Sequence, residues 1–253
     1  MEPWDAAIFA ACCIAGATVQ SLSGFGFGVV LVGLLPILGV AIRDAVVLVT
    51  LLVVPNIAIA LWRVRREARL ARVAWLLLGV PLGLPVGVYL LAFGREWVLR
   101  GILGLVLIGV AAEPFVRRRA APGGESRLWA FVAGAASGAL GAALSTGGPP
   151  VVLYFYRCQL GKEATKAAIM LSFVGTVLWR LLAYVAQAPI TGRELLTMPL
   201  VWKGVAFWPA VVAGTLLGER LFRALSQGGF RRAIAAVLVV CGVYQLGRAA
   251  GAW

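Results

Sequence analysis

A chain of 253 residues, 62% of them hydrophobic and only 13% charged, is not an ordinary soluble domain, in which about a quarter of the residues are charged. Its net charge of +13 does not point to nucleic acid, because the basic residues stand between apolar runs instead of gathering on one folded face. With no His in the chain and no metal-ligand spacing among Cys12, Cys13, Cys158 and Cys241, zinc, haem and His-based catalytic sites are excluded.

The N-terminal stretch "MEPWDAAIFA" carries Glu2 and Asp5 but no Lys or Arg, so it lacks the basic start of a secretory signal and is expected to stay in the mature protein. Apolar segments follow at about 4–38, 45–62, 73–93, 98–116, 128–158, 166–188, 199–218 and 233–247. A helix needs about 20 apolar residues to cross a hydrocarbon core about 30 Å thick. The first and fifth segments are too long for one crossing, and each is interrupted near its middle by glycines. In "LSTGGPPVVLYFY", Leu144 to Tyr156, Gly147, Gly148, Pro149 and Pro150 stand together. Each Gly costs a helix interior about 1 kcal/mol and each Pro about 3 kcal/mol relative to Ala. Trp4, Trp62, Trp75, Trp97, Trp129 and Trp202 fall near the expected span ends, as in an interfacial belt.

The two broken segments match each other. A shift of 122 positions superposes "GATVQSLSGFGFGVVL" on "GALGAALSTGGPPVVL", with identities at Gly16/Gly138, Leu22/Leu144, Ser23/Ser145, Gly26/Gly148, Val29/Val151, Val30/Val152 and Leu31/Leu153. "LWR" recurs at Leu61–Arg63 and Leu178–Arg180, and Gly83-xxx-Gly87 followed by Arg100 recurs as Gly214-xxx-Gly218 followed by Arg231. Eight simple spans would divide the Lys and Arg residues 12 to 10 between the two sides, which is no bias. If segments one and five instead enter and return to the same side, the division becomes 16 to 6, with Arg180 left inside a span. The positive-inside rule prefers the second arrangement. The expected fold is therefore an all-α integral membrane protein, one transmembrane domain over residues 1–253. It comprises two inverted repeats, at about 4–116 and 128–247, each with one Gly-interrupted helical hairpin and three further spans.

Such breaks are tolerated in a bilayer only where protein or a water-filled cavity surrounds them, and they aim helix ends at a substrate. A helix N-terminus offers free N–H groups and roughly half a positive charge. Ser145, Thr146, Gly147 and Gly148 are read as one loop, with Pro149 and Pro150 opening the next helix; Ser23, Gly24, Phe25 and Gly26 form the symmetric loop. Two opposed loops without carboxylates suit a small oxyanion. Gln20 precedes the first break and could donate to substrate. Asn56, beside Pro55, either lines the cavity or satisfies carbonyls freed by a proline kink. Arg180 either supplies a full positive charge to the anion or snorkels to the outer interface. The four repeated glycines read as close helix packing.

"SLSGFGFGVVLVGLLP" and "STGGPPVVLYFY" together resemble the paired signatures of the TauE/SafE sulfite exporter family, and the resemblance covers essentially the whole chain. It implies a multi-pass permease of the bacterial inner membrane that moves sulfite, sulfonates such as sulfoacetate, or related anions. By position, Ser23, Gly24, Gly26, Ser145, Gly147, Gly148 and Pro149 would then line the pathway. Where many relatives have a denser glycine run, Phe25 or Phe27 would act as a gate. The expected function is secondary transport of a small sulfur-containing anion, outward; the alternatives are import of thiosulfate or another small anion, and a passive anion channel. An enzyme is not expected. Ser145 as nucleophile would need Lys162, Lys166 or Lys203, all near interfaces, and no P-loop is present. No cofactor, metal or nucleic acid is expected. The partners are the anion and the bilayer, with a coupling ion (proton or sodium) and homo-oligomerisation left open.

Overall fold

The interruptions in the sequence become the joints of an all-helical molecule. The computed structural model describes residues 3–116, 126–158, 160–224 and 227–251. Its helices are α1 Pro3–Ser23, α2 Phe27–Leu34, α3 Ile42–Val64, α4 Leu70–Phe93, α5 Glu96–Val116, α6 Arg127–Leu144, α7 Gly148–Arg157, α8 Lys162–Ala186, α9 Ala188–Thr191, α10 Met198–Ala206, α11 Trp208–Ala224 and α12 Gln227–Ala249, and no strand occurs among the described residues. Four helices are long and apolar enough to cross a membrane, and a fifth span results if α10 and α11, bent by 42°, count as one. That bend sits at Phe207, just before Pro209, which lacks the N–H that would continue the helical ladder across it. Pro55, Pro81 and Pro85, in contrast, lie within continuous helices.

The two return helices are short. With 8 and 10 residues, α2 and α7 reach only about 12 and 15 Å at 1.5 Å per residue, and each doubles back along the helix before it. Leu31 of α2 lies against Gly16 of α1, and Ser137 Oγ on α6 donates to the Gly147 carbonyl at 2.8 Å. Each broken segment is therefore a hairpin of one long and one half-length helix. Gly148 already belongs to α7 and Ser23 to α1, so the loops are shorter than expected, Gly24–Gly26 and Ser145–Gly147.

Helices pack reciprocally. α4 lies along α6, α11 along α1, α5 along α12, and α3 beside α8. The glycines make the first two contacts. A Cβ on Gly83 would overlap the Ala135 carbonyl oxygen of α6, one on Gly87 that of Ala139, and one on Gly214 that of Ile14 on α1. A Cβ on Gly218 would come within 2.7 Å of the Thr18 carbonyl oxygen. Thr18 Oγ1 also donates across the second seam to the Gly214 carbonyl at 3.0 Å. Facing the other way on α4, Leu78, Leu82, Val86 and Tyr89 form an exposed apolar stripe at spacings of three and four, as expected of a lipid-facing surface. Trp62, Trp75, Trp97, Trp129 and Trp202 are exposed as well, near helix ends.

Polar ties join further helix pairs. Asn56 on α3 is fully buried and donates through Nδ2 to Thr215 Oγ1 at 2.8 Å and to the Ala17 carbonyl at 3.3 Å. Glu219 on α11 accepts from Lys166 Nζ of α8 at 2.7 Å and lies 3.8 Å from Arg63 NH1 of α3. Arg100 on α5 binds Glu96 and Gln245 Oε1, and Gln245 Nε2 reaches the Gly33 carbonyl at the end of α2 at 3.2 Å.

Candidate functional site

Both breaks rest on backbone that most residues avoid. Gly24 and Gly26 have φ of +82° and +111°. In the second break Ser145 takes a left-handed φ of 54°, alone among the described non-glycine residues, a conformation costing roughly 1–2 kcal/mol. Ser145 N–H donates to the Gly141 carbonyl at 2.9 Å and Thr146 N–H to that of Leu140 at 3.4 Å, closing the last turn of α6.

The breaks meet. A Cβ on Gly28 would overlap the Ser145 carbonyl oxygen, and one on Gly148 would stand 3.4 Å from Phe25 Cβ and 3.5 Å from Phe173 Cζ. Beside this junction lies a cavity of about 50 Å³, with room for about three or four waters. Gln20, Gly26, Gly28 and Val29 line it from the first half. Ser137, Gly141, Ser145, Gly147 and Gly148 line it from the second, α3 adds Val49, Val53 and Ile57, and α8 adds Phe173, Thr176, Val177 and Arg180. The α8 residues recur at spacings of three and four and so share one helical face.

Arg180 does not snorkel. It is 6% exposed, and its NH1 donates to the Gly141 carbonyl at 2.7 Å and to Ser145 Oγ at 3.1 Å, while its Nε is buried without a partner. Tyr184, one turn further on, donates to the Ala142 carbonyl at 2.6 Å, so α8 covers the C-terminal end of α6. Gln20 is 3% exposed; its Oε1 accepts from Phe27 N–H at 3.2 Å, and its Nε2 is a second buried donor without a partner. No Asp or Glu lines the cavity among the described residues. The site thus has one full positive charge, two buried donors without partners, the hydroxyls of Ser137, Ser145 and Thr176, and apolar side chains from α3 and α8.

Of the residues expected from sequence, Gln20, Gly26, Ser145, Gly147, Gly148 and Arg180 line the cavity. Gly24, Phe25 and Thr146 stand on the breaks and Pro149 in the first turn of α7, all outside that lining, and Thr146 Oγ1 is buried and unpartnered. Asn56 lies outside it too, holding α3 to α1 and α11. The Ser23 side chain is outside the described residues. The helix N-termini offer less than expected: Pro149 and Pro150 carry no N–H, and Phe27 N–H is taken by Gln20. Sequence reasoning missed Gly28, Val29, Ser137, the α3 residues Val49, Val53 and Ile57, and the rest of the α8 face, Phe173, Thr176 and Val177, whose spacing from Arg180 was the available signal.

A family model described as sulfite exporter TauE/SafE matches residues 8–245. The chain belongs to the TauE/SafE sulfite exporter family. It is 29% identical over 245 residues to the probable sulfite/organosulfonate exporter TauE of Cupriavidus necator, covering 94% of this chain and 93% of that one. No solved structure matches it. Membership of a TauE/SafE exporter family agrees with a transporter. The Ser145 hydroxyl accepts from Arg180; Lys166 is paired with Glu219, Lys203 lies over the Phe9 ring, and the Lys162 side chain is outside the described residues.

Proposed function

We propose that this protein is a secondary transporter that exports a small sulfur oxyanion, sulfite or an organosulfonate, across a bacterial inner membrane, and that Arg180, Gln20 and Ser145 hold the anion. The observation carrying this reading is the pair of buried, unpartnered donors, Arg180 Nε and Gln20 Nε2, in a cavity without carboxylates among the described residues. A buried guanidinium without a counter-ion is costly, and buried polar groups ordinarily have partners. An oxyanion accepting from both donors would complete the site, and its departure would expose the cost again, which favours turnover over tight retention. The sulfur chemistry is taken from the family and from the name of the Cupriavidus necator relative. Export fits a membrane potential negative inside, worth about 2.3 kcal/mol per charge per 100 mV.

The test is flux of a panel of sulfur oxyanions and carboxylates with purified protein in liposomes, under both polarities of potential. Sulfite or a sulfonate should move, faster when the potential drives the anion out of the compartment matching the cytoplasm. Movement of a cation or neutral solute with no anion flux would sink the assignment.

Transport of this kind uses two oppositely oriented halves, and the reciprocal pairing of α4 with α6 and α1 with α11 supports that reading of the repeats at about 4–116 and 128–247. In a cysteine-free background, Ala68→Cys and Gly161→Cys should be equally inaccessible to an impermeant thiol reagent on intact cells and equally labelled after permeabilisation. Labelling of only one from outside contradicts the inverted arrangement.

A further inference from the structure

The site also limits the charge of what it takes, an inference that rests on the transport reading above. Each break brings a helix C-terminus, that of α1 or α6, against a helix N-terminus, that of α2 or α7. The two ends carry roughly half a charge each, of opposite sign, and offset one another. The α6 end is further screened, since Gly141 and Ala142 carbonyls accept from Arg180 and Tyr184. What remains beside the cavity is the single charge of Arg180, 6% exposed, with Gln20 Nε2 as a neutral donor. Apart from the Ser137, Ser145 and Thr176 hydroxyls, much of the remaining lining is apolar, Val49, Val53 and Ile57 of α3 and Val177 of α8, which can solvate an alkyl group but no anionic oxygen.

We infer that the cavity selects singly charged sulfur oxyanions, short alkanesulfonates and the hydrogen sulfite ion, over divalent anions such as sulfate, thiosulfate and fully ionised sulfite. A monoanion neutralises Arg180 and can turn its substituent to the valines. A dianion leaves one negative charge with no second cation in the lining to compensate it in a low-dielectric interior, which is strongly unfavourable.

The experiment uses the full chain in proteoliposomes and labelled sulfite at a limiting concentration. Methanesulfonate should compete with sulfite, while sulfate and thiosulfate should compete at least about tenfold more weakly. As the buffer is moved from mildly acidic to mildly alkaline, through the second ionisation of sulfite, sulfite flux should fall with the hydrogen sulfite fraction while methanesulfonate flux stays level. Sulfate or thiosulfate competing as well as methanesulfonate, or sulfite flux rising with pH, overturns the charge selection and leaves anion transport standing. Failure of sulfite and methanesulfonate alike to move overturns the transport reading and the inference together.

Discussion

Arg180→Gln should lower anion flux by about ten- to a hundredfold without lowering the stability of the protein. The loss corresponds to a hydrogen bond to a charged group, worth about 1.5–3 kcal/mol. Stability should hold, or rise, because the variant removes a buried cation whose Nε has no partner. The Gly141 carbonyl that loses NH1 still accepts from Ser145 N–H at 2.9 Å, so no buried acceptor is orphaned there. Flux in proteoliposomes and thermal unfolding in detergent measure the two effects on the same preparation. Arg65→Gln, at an exposed position next to Trp62, is the matched control and should change neither. Full transport by the Arg180→Gln protein would show that the anion binds elsewhere.

Gly83→Leu should give the opposite pattern, loss of the folded protein itself. Its Cβ would overlap the Ala135 carbonyl and come within 2.6 Å of the Ala139 amide nitrogen, backbone atoms that cannot turn aside as a side chain can. Overpacking a core typically costs about 1–3 kcal/mol; here two helices must separate along their length, so the effect lies at the top of that range or beyond. Gly214→Leu should behave alike, as its Cβ would lie 2.7 Å from Ile14 Cα. Gly109, also on a long helix but with open space around its Cβ position, should accept Ala with no loss. Size-exclusion profiles and thermal unfolding of the three variants decide this, and a well-folded Gly83→Leu protein would mean that the α4–α6 seam is looser than described.

The helices were legible from the sequence because hydropathy and Gly/Pro punctuation are local properties. All eight apolar segments correspond to helices or broken pairs, and the match of Gly16–Leu31 with Gly138–Leu153 picked out the two hairpins. The paired "Gly-xxx-Gly" motifs announced close packing but could not name the partner, since a small-residue face is complementary to any other. The site was half legible. Ser145, Gly147 and Gly148 declared themselves by breaking a helix, whereas Val49, Val53, Ile57 and Phe173 are ordinary apolar residues whose role comes only from the tertiary arrangement. Arg180 left two readings open because depth along a helix does not say which way a long side chain turns; its burial against α6 decides that point. Asn56 had two readings as well, and its distant partner Thr215, on the other half of the chain, could not be inferred from its neighbour Pro55.

The glycine seams also have a mechanical meaning. α11 is locked to α1 at Gly214 and Gly218, and α1 ends in the Gly24–Gly26 break; α4 is locked to α6 at Gly83 and Gly87, and α6 ends in the Ser145–Gly147 break. Each of these helices is thus a lever whose far arm is a loop contributed by the opposite half of the chain. Glu219 directly follows Gly218, so its contacts with Lys166 and Arg63, together with those of Asn56 to Thr215 and the Ala17 carbonyl, tie the α1–α11 lever, and the arm that ends in the Gly24–Gly26 break, to α3 and α8.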